Sequence, residues 1–157
     1  MSKRNYWLMK SEPNAYSIDD LERDRVEPWD GIRNYEARNY MRDDMEIGDG
    51  ILFYHSQVRP PVIVGSMEVA SEPYPDPTQF DPDSKYFDEK SSEEDPTWQL
   101  VDVTFVQKFE NTVTRDAIKE ESSLQDMVLL KRFRLSITPV TEQEWNTIHE
   151  MAGADPK

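Results

Sequence analysis

Residues 51–69 constrain the fold more than any other stretch. Gly48-Asp49-Gly50 marks a turn into Ile51–Ser56, and a Pro60-Pro61 loop separates that segment from Val62–Val69. In Ile51–Ser56, Ile51, Phe53 and His55 fall on one side and Leu52, Tyr54 and Ser56 on the other, because successive side chains of a strand alternate. Val62–Val69 is dense in β-branched residues and is placed to pair with it. Two such strands need further partners to bury their apolar sides. The rest of the chain supplies them at Asn5–Lys10, at Trp98–Phe109 and at Leu135–Pro139. Between them lie helical signals. Ser17 with Asp20 three residues on, and Thr141 with Glu144, read as capping boxes opening helices at 17–21 and 141–151. Asn34–Met45 carries Ala37, Met41 and Met45 as an apolar stripe, and 114–121 and 124–131 read as short helices. Strands and helices mixed without a βαβ rhythm indicate an α+β domain, a small barrel with helices over its ends.

The length of 157 residues suits one domain, 1–157, with one real core. Residues 72–97, acidic and proline-rich with little periodicity, form a long loop within it. Tyr74, Phe80, Tyr86 and Phe87 are too many aromatics for a disordered acidic segment, so the loop is expected to be pinned to the body. Cysteine is absent, which excludes disulfide and thiolate chemistry, and two histidines, His55 and His149, are too few for a histidine-based metal site. No apolar run reaches the ~20 residues of a membrane span, and the N-terminus lacks a signal-peptide core. A soluble, intracellular monomer is the expectation, cytoplasmic in a bacterium and nuclear in a eukaryote.

The net charge of −14 argues against a polyanion partner, yet it is unevenly spread. Residues 68–126 hold five basic and sixteen acidic groups, whereas 1–67 hold nine and twelve, and 127–157 four of each. A local positive patch is compatible with that distribution.

Reading a single base takes a flat aromatic face, worth ~1–3 kcal/mol of stacking, plus hydrogen-bonding groups at its edge. Trp29, in a turn beside Pro28 and Asp30-Gly31, Tyr54, and Trp98 are the candidate faces. Lys10 and Ser11, His55 and Ser56, and Asn34 are the candidate edge partners. Ordinary core packing, a turn cap at Ser11, a half-buried histidine at 55 and a helix cap at Asn34 are the alternative readings of the same residues. Arg33, Arg38 and Arg134 are the candidate phosphate contacts, with salt bridging as the alternative. If the three aromatics form one cage, replacing Trp29 by Ala should abolish binding and leave the fold nearly intact. Nothing in the sequence resembles a phosphate loop, HExxH or Gly-x-Ser-x-Gly, and no cofactor, metal site or catalytic residue is expected.

The order of motifs adds a resemblance. Tyr6–Pro13 (YWLMKSEP), the 29–69 segment, Tyr74-Pro75-Asp76, Asp88–Ser91, Val101–Val103 and Arg134-Leu135-Ser136 together resemble the EVE domain family, a branch of the PUA-like folds, over roughly residues 5–148. Phe133 and Val62 depart from the family pattern, where a small residue and a glycine are expected. The resemblance implies a PUA-like barrel and a non-catalytic module that flips a modified base of DNA or RNA into an aromatic pocket. A binder of a free nucleobase, nucleoside or related metabolite is the alternative, favoured by the acidic surface.

Overall fold

The structure, a computed structural model, describes residues 4–157. Its strands and helices run in the order β1 (Tyr6–Ser11), α1 (Ile18–Asp24), β2 (Val26–Pro28), α2 (Tyr35–Asn39), β3 (Gly50–His55), β4 (Val62–Val69), β5 (Tyr74–Pro75), β6 (Gln99–Leu100), β7 (Asp102–Thr114), α3 (Arg115–Glu120), β8 (Ile137–Val140) and α4 (Glu142–Ala152). Six strands form one sheet in the order β2-β7-β4-β3-β1-β8, with β1 and β3 parallel and the other neighbours antiparallel. Register shifts at Phe53/Tyr54, Ile63/Gly65 and Ser66/Met67 mark irregularities that increase twist and curl the sheet into a half-barrel. Gly65 sits at one of them. A Cβ there would lie 2.3 Å from the Gln107 carbonyl oxygen, so only glycine lets β4 and β7 approach this closely.

Side-chain alternation divides the interior in two. Trp7 and Met9 of β1, Ile51 and Phe53 of β3, and Val64 and Met67 of β4 face one way, against Ile18 and Leu21 of α1 and Ala37 and Met41 of the α2 segment. Leu8, Leu52, Tyr54 and Ile63 face the other way, against Ile118 of α3 and Trp145 and Ile148 of α4. Both expected capping boxes form. Ser17 Oγ accepts from Asp20 N–H while Asp20 accepts from Ser17 N–H, and Thr141 and Glu144 do the same.

Four local outcomes differ from the sequence reading. The short helix expected at 124–131 is replaced by two 3-10 turns, Ser122–Leu124 and Val128–Leu130. The helix after Asn34 is α-helical only to Asn39 and continues as a π turn, Tyr40–Asp44, that still buries Met41 and Met45. The long strand expected at 98–109 splits at Val101, whose carbonyl accepts from Trp29 N–H. The preceding β6 pairs with β5 in a separate two-stranded sheet. The Val26–Pro28 strand on β7 has no counterpart in the sequence reading because three residues ending in proline give almost no periodic signal.

Candidate nucleic-acid interface

Two cavities flank the end of the sheet where β1 and β3 finish. The first, about 500 Å³, has the Trp29 indole in its wall together with Tyr16, Tyr86 and Ile32, and adds polar groups from Ser11, Asp30 and Glu27. Its volume lies in the range of small-molecule sites. Trp29 follows β2 and is held by its N–H bond to Val101; it packs edge-on against Phe53, centroids 5.6 Å apart, and Tyr16, 6.4 Å. Tyr86 arrives from the acidic loop and lies on Gly31. That glycine has φ +81°, and a Cβ on it would meet the Tyr86 ring at 2.6 Å, so the position needs glycine twice over. Ser11 Oγ donates to the Tyr16 carbonyl at 2.6 Å, which leaves its lone pairs to face a ligand. Burial and the neighbouring Asp30 carboxylate push Glu27 above the usual carboxylate range. Burial and Asp76 do the same to Asp30. Two carboxyl groups beside an aromatic face can accept from an exocyclic amine, or donate when protonated.

The second cavity is wider, about 1170 Å³, and shares Lys10 and Glu12 with the first. Tyr54 and Ser56 line it, with Arg59 from the β3–β4 loop, Arg115 at the start of α3 and Arg134 before β8. Lys10 Nζ donates to the Phe133 carbonyl and sits 6.0 Å from the Tyr54 ring centroid; burial and then Arg115 hold its ammonium below the usual lysine range. Burial raises the Tyr54 phenol, with Arg115 pulling the other way.

The expected cage of Trp29, Tyr54 and Trp98 does not close on one space. Trp29 packs on Phe53, and strand parity puts Tyr54 on the opposite face of β3, so each wall belongs to a different cavity. Trp98 lines neither cavity. It is 6% exposed, stacked on Tyr35 at 5.0 Å, and its indole N–H donates to Asp88. Of the expected edge partners, Lys10 and Ser11 reach the Trp29 cavity, and Lys10 and Ser56 the Tyr54 cavity. Asn34 caps α2 by accepting from Ala37 N–H and borders a small depression beside Arg134. His55 Nε2 accepts from Ile18 N–H at 3.3 Å, so that nitrogen carries no proton, and burial holds the imidazole below its ordinary value. The expectation for a Trp29→Ala variant also changes. The indole is 7% exposed within the larger core cluster, where truncation costs about 3–5 kcal/mol, so the fold would not survive it unharmed.

Arg33 and Arg38 take a different job from the phosphate contact expected of them. All five N–H groups of Arg33 are engaged: Nε and Nη2 on the Tyr86 carbonyl, Nη1 on the Ile32 carbonyl and Asp76, Nη2 also on Thr78. Arg38 bonds Asn39 and the Thr97 carbonyl and lies 5.0 Å from the Tyr35 ring centroid. Both clamp the 72–97 loop to the body, and Arg33 thereby holds Tyr86 in the cavity wall. Buried Asp76 completes the clamp by accepting from Gly31 N–H, from Thr78 N–H and hydroxyl, and from Arg33. Burial alone would raise its carboxyl, but those donors outweigh it and hold it below the usual range. Arg134, by contrast, is exposed with no ion pair among the described residues.

Tyr16, Tyr86, Glu27 and Asp30 are lining residues that the sequence does not mark as such; Tyr86 reads there only as one of the aromatics pinning the acidic loop, and Asp30 only as part of a turn. The one available signal was Asp30-Gly31, a turn pair beside a tryptophan.

The curled six-stranded half-barrel, with helices on both faces and cavities at one end of the sheet, defines a PUA-like domain. The chain belongs to the EVE domain family, whose domain it matches over residues 5–151. Mouse thymocyte nuclear protein 1 is 38% identical over 171 residues, covering 97% of this chain and 75% of the mouse protein. A hypothetical protein from Leishmania major superposes with a TM-score of 0.92 at 44% identity, covering 96% of both chains. Human thymocyte nuclear protein 1, solved in complex with DNA containing 5-methylcytosine, superposes with a TM-score of 0.89 at 36% identity, covering 97% of this chain and 99% of that one. Among the described residues no helix is long and apolar enough to cross a membrane, and no cluster of His, Asp and Glu is placed to hold a metal ion.

Proposed function

We propose that the protein is a non-catalytic nucleic-acid-binding module that receives a modified base, flipped from its strand, in the Trp29 cavity. The observation that carries this reading is the joining of aromatic faces and edge partners in one space of base-accommodating size: Trp29, Tyr16 and Tyr86 beside Ser11, Glu27 and Asp30. Stacking on such a face is sequence-tolerant, so the carboxyl and hydroxyl groups must identify the base. The human relative crystallised with 5-methylcytosine-containing DNA supports the choice of polymer and of modification as a probe. Base flipping is the step that brings a duplex base to a recessed cavity.

The test is fluorescence anisotropy with two duplexes identical except for one 5-methylcytosine. The wild type should prefer the modified duplex. Tyr86→Ala, which removes one aromatic face, should lose roughly 5–150-fold of that affinity, the equivalent of ~1–3 kcal/mol of stacking. Equal affinity for both duplexes, unaffected by Tyr86→Ala, would refute base reading. The net charge of −14 favours a second reading, a free nucleobase or nucleoside as ligand. In that case the nucleoside should bind as tightly as the duplex, with almost no salt dependence.

A further inference from the structure

In a chain of net charge −14, the cleft beside Tyr54 is locally cationic. Lys10, Arg59, Arg115 and Arg134 line it against two acids, Glu12 and Asp116. Among the described residues none of these four cations forms an ion pair, whereas seven of the thirteen basic residues outside the cleft do, Arg4 with Glu68 and Arg132 with Glu36 among them. Arg115 Nε is buried with no hydrogen-bond partner. An unpartnered buried guanidinium nitrogen is costly unless something comes to meet it. The three arginines come from separate elements: the β3–β4 loop, the first residue of α3 and the segment before β8. Such convergence of unpaired cations, in a chain with nearly twice as many acids available to pair them, is chemistry suited to a polyanion.

We propose that this cleft holds the phosphodiester backbone of a bound nucleic acid, on the strand whose base enters the neighbouring Trp29 cavity. The shared wall of Lys10 and Glu12 makes the two spaces adjacent, so a flipped nucleotide can place its base on one side of Lys10 and its flanking phosphates on the other. Arginine forks suit phosphate oxygens because they bind in two-point geometry. The assignment rests on the base-reading proposal only for the identity of the polymer. It moves the phosphate contacts away from Arg33 and Arg38, whose donors are engaged inside the protein, and keeps Arg134.

The experiment uses the same two duplexes, titrated from 50 to 200 mM NaCl against wild type, the Arg59→Ala/Arg134→Ala variant and Lys90→Ala. Lys90 is exposed on the acidic loop and away from the cleft, so it controls for net charge. Arg59 and Arg134 are both exposed, so unchanged melting temperatures are expected. The double variant should lower the slope of log affinity against log salt by about two, and weaken both duplexes equally, roughly tenfold per arginine at 0.1 M salt. Lys90→Ala should leave the slope unchanged. An unchanged slope in the double variant, an equal effect from Lys90→Ala, or no wild-type binding to either duplex at 50 mM salt overturns the proposal. Displacement of the duplex by inorganic phosphate at constant ionic strength also overturns it, assigning the cleft to a small anion. If both duplexes bind equally yet the slope still falls, the cleft assignment stands and base reading is what fails.

Discussion

Replacing Asp76 by Asn removes one negative charge from the clamp between the acidic loop and the 29–34 turn, and its effect can be worked from the contacts. The carboxylate side chain is 1% exposed and its partner Arg33 21%. It accepts four hydrogen bonds, two of them from backbone N–H groups at 2.8 Å. An amide offers one acceptor oxygen and a donor that must face either the Gly31 or the Thr78 N–H. Breaking a buried pair by removing one partner costs ~3–5 kcal/mol, and the partial exposure of Arg33 places this case near the lower end, about 3 kcal/mol. At roughly 2–4 °C per kcal/mol for a chain of this size, the melting temperature should fall by about 6–12 °C. Asp76→Asn should also release the Arg33–Tyr86 contact, so amide exchange in residues 77–91 should quicken by more than in β3. A variant within ~1 kcal/mol of wild type, with unchanged exchange in the loop, would refute the claim that this clamp holds the Tyr86 wall.

Gly31→Ala should lower stability and weaken binding of the modified duplex together, because it strains a backbone at φ +81° and drives a methyl into the Tyr86 ring; a variant that binds normally would remove Tyr86 from the cavity wall. His149 is fully buried, burial holds its pKa below the ordinary 6.5, and its Nε2 has no partner. Its neutral form is therefore the folded form, and the sign follows: the stability it confers is complete above pH 6.5 and is lost as the pH falls through and below that value. Denaturant melts between pH 7.5 and 5 should show this decline, and His149→Gln should flatten it; an unaltered decline would leave His55, whose pKa is also lowered, as the source.

The sequence made the local signals legible and hid the distant ones. Val62–Val69 and both capping boxes were readable because their partners lie within a few residues. Parity also carried information: Phe53 and Tyr54 on opposite faces meant that a tryptophan packed on one side could not share a cage with the other. The fate of Arg33 was not readable, since its carboxylate partner is 43 residues away in a loop without periodicity. The same long reach conceals Tyr86, which meets Gly31 only after that loop folds back. The Tyr54 cleft is hidden for a related reason, because its four cations are individually unremarkable until four separated elements bring them together.

The most direct test of the base-reading account follows the four tryptophan indole N–H signals by NMR while a duplex carrying one 5-methylcytosine is added, with the unmodified duplex as reference. Trp7 and Trp98 are tied to Asp49 and Asp88 and report on the body of the protein. Trp145 lies in the core cluster on the other face of the sheet. A base stacked in the cavity should shift the Trp29 signal strongly through its ring current, with the modified duplex only, and leave Trp145 in place. A Trp29 signal that stays put at saturation, or that moves equally with both duplexes, would contradict the assignment of that cavity to a modified base.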